Sequence, residues 1–184
     1  MYLDSKQLSK FIGKVGNNVF ISDKATIINP KNLSIKNNVR VDDYVSLNCQ
    51  KKLEIHSNIH IGQFTSIRAH EKIIIKDYAL ISSYVDIFTA IDNINDRSYF
   101  SHPMLEIKSK FFKDKRKKLV IDKYSFIGSH SVIVPEAEIS EGVSVGALTL
   151  INFKTSKWTS YLGNPVRILG KRNKDLVKKN YKKK

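Results

Sequence analysis

Aliphatic residues recur along this chain at every sixth position. The stretch IGSHSVIVPEAEISEGVSVGALTLI opens hexads at Ile127, Ile133, Ile139, Val145 and Ile151. The same spacing runs upstream in triplets: Val15, Ile21, Ile27; Ile35, Val41, Leu47; Ile55, Ile61, Ile67; and Ile75, Ile81, Ile87. Strands alternate with a period of two and helices repeat every 3.6 residues, so a strict six fits neither an amphipathic helix nor one long strand. It fits a chain that turns a corner every six residues. Compact or β-branched side chains stand four places beyond many hexad starts, at Val19, Ala25, Val39, Val45, Thr65, Ala79, Val85, Ser131, Ala137, Val143 and Thr149. Those are the residues that fit inside a bend.

Three hexads make one coil, and the pattern predicts an all-β parallel solenoid of triangular cross-section. Its coils start at residues 15, 35, 55, 75, 121 and 139, and the N-terminal ones carry two extra residues at one corner. Six coils at strand spacing give a prism about 29 Å long. A sandwich of short strands would need hairpin turns, and Asn-Gly and Asp-Gly are absent.

One interruption breaks the register. The coil that begins at Ile75 should close near residue 94, yet the next hexad starts at Ile121, which leaves an excursion of about 26 residues. Long excursions on a rigid scaffold are usually functional. The chain therefore divides into a lead of residues 1–14, a solenoid of 15–170 with its excursion at about 89–118, and a short basic, helical tail at 171–184.

Charge changes the picture because it is concentrated. The net charge is +15. The excursion's KSKFFKDKRKK and the tail's KRNKDLVKKNYKKK hold most of it. A solvated tail in a Lys-rich composition accounts for such runs, and so does recognition of a phosphorylated cosubstrate, a nucleotide sugar or an anionic membrane surface. Nucleic acid is set aside, because no zinc-finger spacing, basic zipper or RNA-binding aromatic motif accompanies the charge. A single cysteine, Cys49, rules out an internal disulfide. With no long apolar run and no export signal, the expected location is cytoplasmic, with the tail as a candidate peripheral contact at the inner membrane face.

The hexads, the position of the excursion and the ending VSVGALTLINFKTSKWTSYLGNPVRILGKR together resemble the hexapeptide-repeat acyltransferases, in particular the sugar O-acetyltransferases. The resemblance covers about residues 15–172. It implies a left-handed β-helix, a homotrimer, acetyl-CoA as cosubstrate with no metal, and a general base in or beside the excursion. A base is needed because a sugar hydroxyl is a poor nucleophile until its proton is removed. The closing segment stands here as Gly163, Asn164, Pro165, Val166 and Arg167. On the resemblance, Gly146, Ala147, Thr149, Gly163, Asn164, Arg167, Lys171 and Arg172 are the expected CoA contacts, the three cations facing its phosphates.

The expected base departs from the family's pattern. Where related loops open with a Thr-Ala-x-His-like motif, this one reads Thr89, Ala90, Ile91, Asp92. The candidates are His102, the sole histidine of the loop, then Asp92 and the corner residue His130. Asn93, Asp96, Arg97 and His70 are the expected substrate contacts. His70 also stands one coil above Cys49, which raises a Cys–His pair, although the family transfers its acyl group directly. His56 and His60 have no third histidine at a matching offset for a zinc site.

The resulting expectation is acetyl transfer from acetyl-CoA to a sugar hydroxyl, in surface-polysaccharide biosynthesis. The alternatives are N-acetylation of a nucleotide-linked amino sugar, with residues 108–118 gripping its diphosphate, and a non-catalytic scaffold. Outward aromatics at Tyr44, Phe64, Tyr84 and Phe126 are surfaces that a partner subunit would cover.

Overall fold

The computed structural model describes residues 1–91 and 115–175. Within them the hexads form three flat walls of parallel strands. The first wall stacks Lys14–Val15, Leu33–Ile35, Leu53–Ile55, Ile73–Ile75 and Leu119–Ile121, and a bridge from Ile121 to Ile139 extends it. The second stacks Val19–Ser22, Val39–Val41, Ile59–Ile61, Leu80–Ile81, Phe126–Ile127, Ser144–Val145 and Thr159–Leu162. The third stacks Thr26–Ile28, Ser46–Asn48, Ser66–Arg68, Asp86–Phe88, Val132–Ile133 and Leu150–Ile151.

The register follows the sequence pattern. Val15 pairs with Ile35, Ile35 with Ile55, Ile55 with Ile75 and Ile75 with Ile121. The same holds on the second wall from Ile21 to Val145 and on the third from Ile27 to Ile151. Each hexad aliphatic points inward over its equivalent one coil below, and from Leu47 onward nearly all are fully buried. Burying such a side chain contributes about 1.5–3 kcal/mol. Because each coil contacts only its neighbours, that stability accumulates along the axis.

Corners are made by residues with positive φ. Between the first and second walls these are Asn18, Asn38, Asn58, Tyr78, Tyr124 and Gly142; between the second and third they are Tyr44, Phe64, Tyr84, His130 and Leu148. Asparagine tolerates this conformation through its short polar side chain, and here it adds a ladder. The Asn18 amide donates to Asn38 at 2.9 Å, and the Asn38 amide donates to Asn58 at 3.0 Å.

Both ends of the prism are closed. The strand Tyr2–Leu3 runs antiparallel to Val19–Ser22, and the short helix Ser5–Leu8, capped reciprocally by Asp4 and Gln7, drives Leu8 and Ile12 into the open core. At the other end Thr159–Leu162 pairs antiparallel with Arg167–Lys171, and Tyr161 takes the place of the hexad aliphatic. Residues 92–114 of the excursion and 176–184 of the tail lie outside the described residues. No helix among the described residues is long and apolar enough to cross a membrane.

Candidate active site

The excursion leaves the scaffold at the corner between the third and first walls. Ala90–Ile91 pairs antiparallel with Lys115–Arg116 to form its neck. At the root stands Thr89, fully buried. Its hydroxyl accepts the Glu71 N–H at 2.8 Å, and its carbonyl accepts the Lys117 N–H at 3.1 Å. His70 is half-buried at the same corner, one coil below the neck. Asp92, Asn93, Asp96, Arg97 and His102 lie outside the described residues, as does most of the basic cluster.

At the opposite corner, between the second and third walls, four rings stack into one column. Centroids are 5.0 Å apart from Tyr44 to Phe64, 4.8 Å from Phe64 to Tyr84 and 4.7 Å from Tyr84 to the imidazole of His130. The sequence reading placed three of these aromatics outward but missed their union with His130. The regular twenty-residue spacing is lost across the excursion, and that spacing was the available signal.

His130 sits directly below the closing coil. The Leu148 N–H donates to the Ser129 carbonyl, and a methyl added to Gly128 would come within 2.6 Å of the Ala147 nitrogen. Gly146 and Ala147 thus line the chain's surface beside His130, and Ala147 is exposed. Thr149 does not. It is 1% exposed, and its hydroxyl accepts from Gly163 N–H at 2.8 Å and donates to the Ala147 carbonyl at 3.2 Å. The hydroxyl ties Gly163 to the corner. Asn164 and Pro165 follow, exposed.

The three cations expected to gather on the CoA phosphates do not converge. Arg167 lies opposite Leu162, which in turn packs over Gly146. The antiparallel strand then carries the chain across the second wall. Lys171 donates to the Thr159 hydroxyl at 2.9 Å. Arg172 reaches the far corner, where its guanidinium donates to the carbonyls of Tyr124, Gly142 and Val143 at 2.8–3.2 Å. Lys171 and Arg172 fasten the closing strand, and Arg167 keeps an exposed position, one strand beyond Leu162.

The proposed Cys–His pair is also corrected. The register stacks Ala69, not His70, on Cys49, since the Ala69 N–H donates to the Asn48 carbonyl. The Cys49 thiol is buried, and burial pushes it up to about 12. A thiol held in that range is not a nucleophile at neutral pH. His60 is engaged elsewhere: it bonds Asp42 at 2.7 Å, and Asp42 also accepts from Arg40 Nε at 2.7 Å and Tyr2 OH at 2.9 Å. Burial pushes the Asp42 carboxyl up, but bonds from His60, Arg40 and Tyr2 outweigh it and hold the group below the usual carboxylate range.

The third wall separates the two corners. The strand Asp86–Phe88 runs between them, with Tyr84 turning the chain at one edge and Thr89 at the other. The loop neck and His130 are therefore at opposite edges of one wall.

Comparison with known proteins places this geometry. No protein-family model matches the chain. The dTDP-4-amino-4,6-dideoxy-D-glucose acyltransferase of Escherichia coli is 35% identical over 178 residues, covering 96% of this chain and 91% of that protein. The crystal structure of AntD, an N-acyltransferase from Bacillus cereus in complex with dTDP and 3-hydroxybutyryl-CoA, superposes with a TM-score of 0.89 at 34% identity, covering 98% of this chain and 95% of that one. A maltose O-acetyltransferase from Clostridium difficile matches with a TM-score of 0.55 at 19% identity, over 92% of this chain and 74% of that one, a likeness of fold alone.

Proposed function

This chain belongs to the hexapeptide-repeat sugar acyltransferases, enzymes built on a left-handed β-helix, and from that premise we propose that it N-acylates a nucleotide-linked amino sugar with an acyl-CoA donor. The observation that carries the reading is the likeness, over nearly the whole chain, to two proteins whose names specify this chemistry. A serine-to-alanine variant of AntD has also been crystallised with dTDP-4-amino-4,6-dideoxyglucose and coenzyme A. The leading sequence expectation, O-acetylation within a surface polysaccharide, gives way to its alternative, because the O-acetyltransferase likeness is one of fold only. The scaffold reading falls with the family, and nothing supports a membrane contact through the tail.

The amine nitrogen attacks the thioester carbonyl, the new C–N bond forms, and the C–S bond breaks to release CoA as thiolate. The proton lost by the nitrogen returns to that sulfur through a base. A neutral amine asks less of this base than a hydroxyl does, which suits a loop with aspartate where the O-acetyltransferase-like motif has histidine. We assign the role to Asp92. AntD structures include variants at one serine and at one aspartate ten residues later, and Ser82 and Asp92 are a serine and an aspartate at that spacing. Ser82 begins the corner that leads to Tyr84. Gly146 and Ala147, beside His130, with Arg167 beyond Leu162, form the proposed donor side. His102 becomes the second candidate for the base, and His70 and the loop residues Asn93, Asp96 and Arg97 remain proposed acceptor contacts.

A trimer is the proposed assembly, supported by the exposed rib of Tyr44, Phe64 and Tyr84 at 53%, 44% and 47%, and the cytoplasm is the proposed compartment. The test is release of free CoA thiol with acyl-CoA and a panel of dTDP-linked amino sugars, their hydroxyl counterparts and neutral sugars. Turnover confined to the amino sugars is expected. Equal or faster turnover on hydroxyl acceptors would return the reading to O-acetylation.

A further inference from the structure

We propose that Thr89 is the positioning residue of the excursion, a latch whose hydroxyl takes over a ladder bond so that its own carbonyl can hold the returning strand. The inference rests on the reading of Asp92 above. In the coil below, the third wall ends conventionally: the Lys51 N–H donates to the Ala69 carbonyl at 2.8 Å. Twenty residues on, the same register calls for Glu71 N–H to donate to the Thr89 carbonyl. It does not. The Glu71 N–H goes to Thr89 Oγ1 at 2.8 Å, and the Thr89 carbonyl accepts Lys117 N–H at 3.1 Å, from the strand that closes the neck. The hydroxyl proton is shared between the Arg68 and Glu71 carbonyls at 3.3 Å, and the Thr89 N–H also donates to Arg68.

The column explains why threonine stands here. Cys49 and Ala69 occupy the two coils below, all three side chains fully buried. Where the chain simply turns, a small apolar residue suffices. Where it leaves the coil, diverting the carbonyl deprives the part-buried Glu71 N–H of its ladder acceptor, and such donors are seldom left unpaired. Only a side chain with an acceptor close to its own backbone restores the bond. Asp92 follows three residues later in the sequence, directly after the neck strand Ala90–Ile91 that Thr89 leads into. Reacting groups misplaced by about 1 Å cost on the order of 100-fold in rate.

The test compares Thr89→Val, which keeps the shape and removes the acceptor, with Thr89→Ser, which keeps the acceptor. Amide exchange at Glu71 and Lys117 and steady-state kinetics are measured on the full chain. The Val variant should lose Lys117 protection and at least tenfold in kcat, with acyl-CoA Kd within about twofold of wild type; the Ser variant should restore both. Unchanged Lys117 protection in the Val variant, or a Ser variant as impaired as the Val one, overturns the latch. Lost protection with full kcat overturns its positioning role and leaves the base assignment standing. Asp92→Asn separates the other failure: full kcat there removes the base reading, while exchange at Lys117 still decides the latch.

Discussion

The imidazole of His130 lies flat on the ring of Tyr84, with centroids 4.7 Å apart and planes 8° from parallel. The contact joins coil four to coil five across the point where the excursion interrupts the chain, and it holds His130 beside the closing coil. Tyr84 also stacks on Phe64, so it has a ring on each side. Stacked pairs contribute about 0.5–1.5 kcal/mol beyond the area they bury. Tyr84→Ala should therefore lower stability by about 1–3 kcal/mol in urea unfolding, while Tyr84→Phe stays within about 0.5 kcal/mol. An alanine variant as stable as wild type would mean that the rings are held by their backbone corners alone.

Arg167 and Arg172 are five residues apart and are expected to behave differently. Arg172 binds three backbone carbonyls at a corner, and hydrogen bonds to charged groups contribute about 1.5–3 kcal/mol. Its replacement by alanine should lower stability by about 2 kcal/mol and leave acyl-CoA affinity unchanged. Arg167→Ala should do the reverse, weakening acyl-CoA about tenfold with an unchanged melting temperature, as expected for loss of a charge-assisted contact. Calorimetric titration and thermal unfolding of the two variants decide it.

The contrast between these arginines shows where sequence reading stops. The three walls were legible because each inward aliphatic repeats its neighbour's environment, so period alone fixes the pairing of Ile35 with Ile55 or Ile67 with Ile87. The strand Arg167–Lys171 belongs to no hexad, and its antiparallel return, which disperses the cations, leaves no periodic trace. Thr89 was visible as a residue type, but its meaning depends on which way a carbonyl turns. The loop's aspartate stood out by departing from the family motif, while its acceptor chemistry came from relatives rather than from spacing.

Cys49 offers a clean control on the chemistry. Its thiol, buried and pushed up to about 12, should not react with a disulfide reagent at pH 8 until the protein unfolds. Cys49→Ala should retain full turnover. Rapid labelling of the native protein would show that the coil opens there. Protection has a practical consequence as well, since thiol-based assays of CoA release then report only the product.

Acid stability should be carried in part by the first wall. Glu54 is held down to about 2 by hydrogen bonds from Lys72 and Lys52, against an ordinary value of 4.5. With the folded value depressed, the unfolded chain binds the proton first, so the contribution is complete above about pH 4.5 and is lost as pH falls toward 2. Glu54→Gln should flatten the decline of stability across that window and change little at pH 7 beyond the loss of the ion pairs. A variant whose acid limb matches wild type would assign the decline to other carboxylates.

The assignment of the base turns on two residues of the excursion. If Asp92 removes the proton from the acceptor nitrogen, Asp92→Asn should reduce kcat by about 10²–10⁴, the usual contribution of a positioned base. The loss should shrink as pH rises, because the reacting amine is increasingly neutral and solvent hydroxide takes over. His102→Ala should remain within about threefold of wild type. Direct binding of the nucleotide sugar separates catalysis from recognition: an Asp92 variant that binds acceptor normally but turns over slowly has lost a base, whereas one that no longer binds has lost an acceptor contact. If His102→Ala shows the large kcat loss instead, the loop histidine takes the role, and Asp92 serves to orient it.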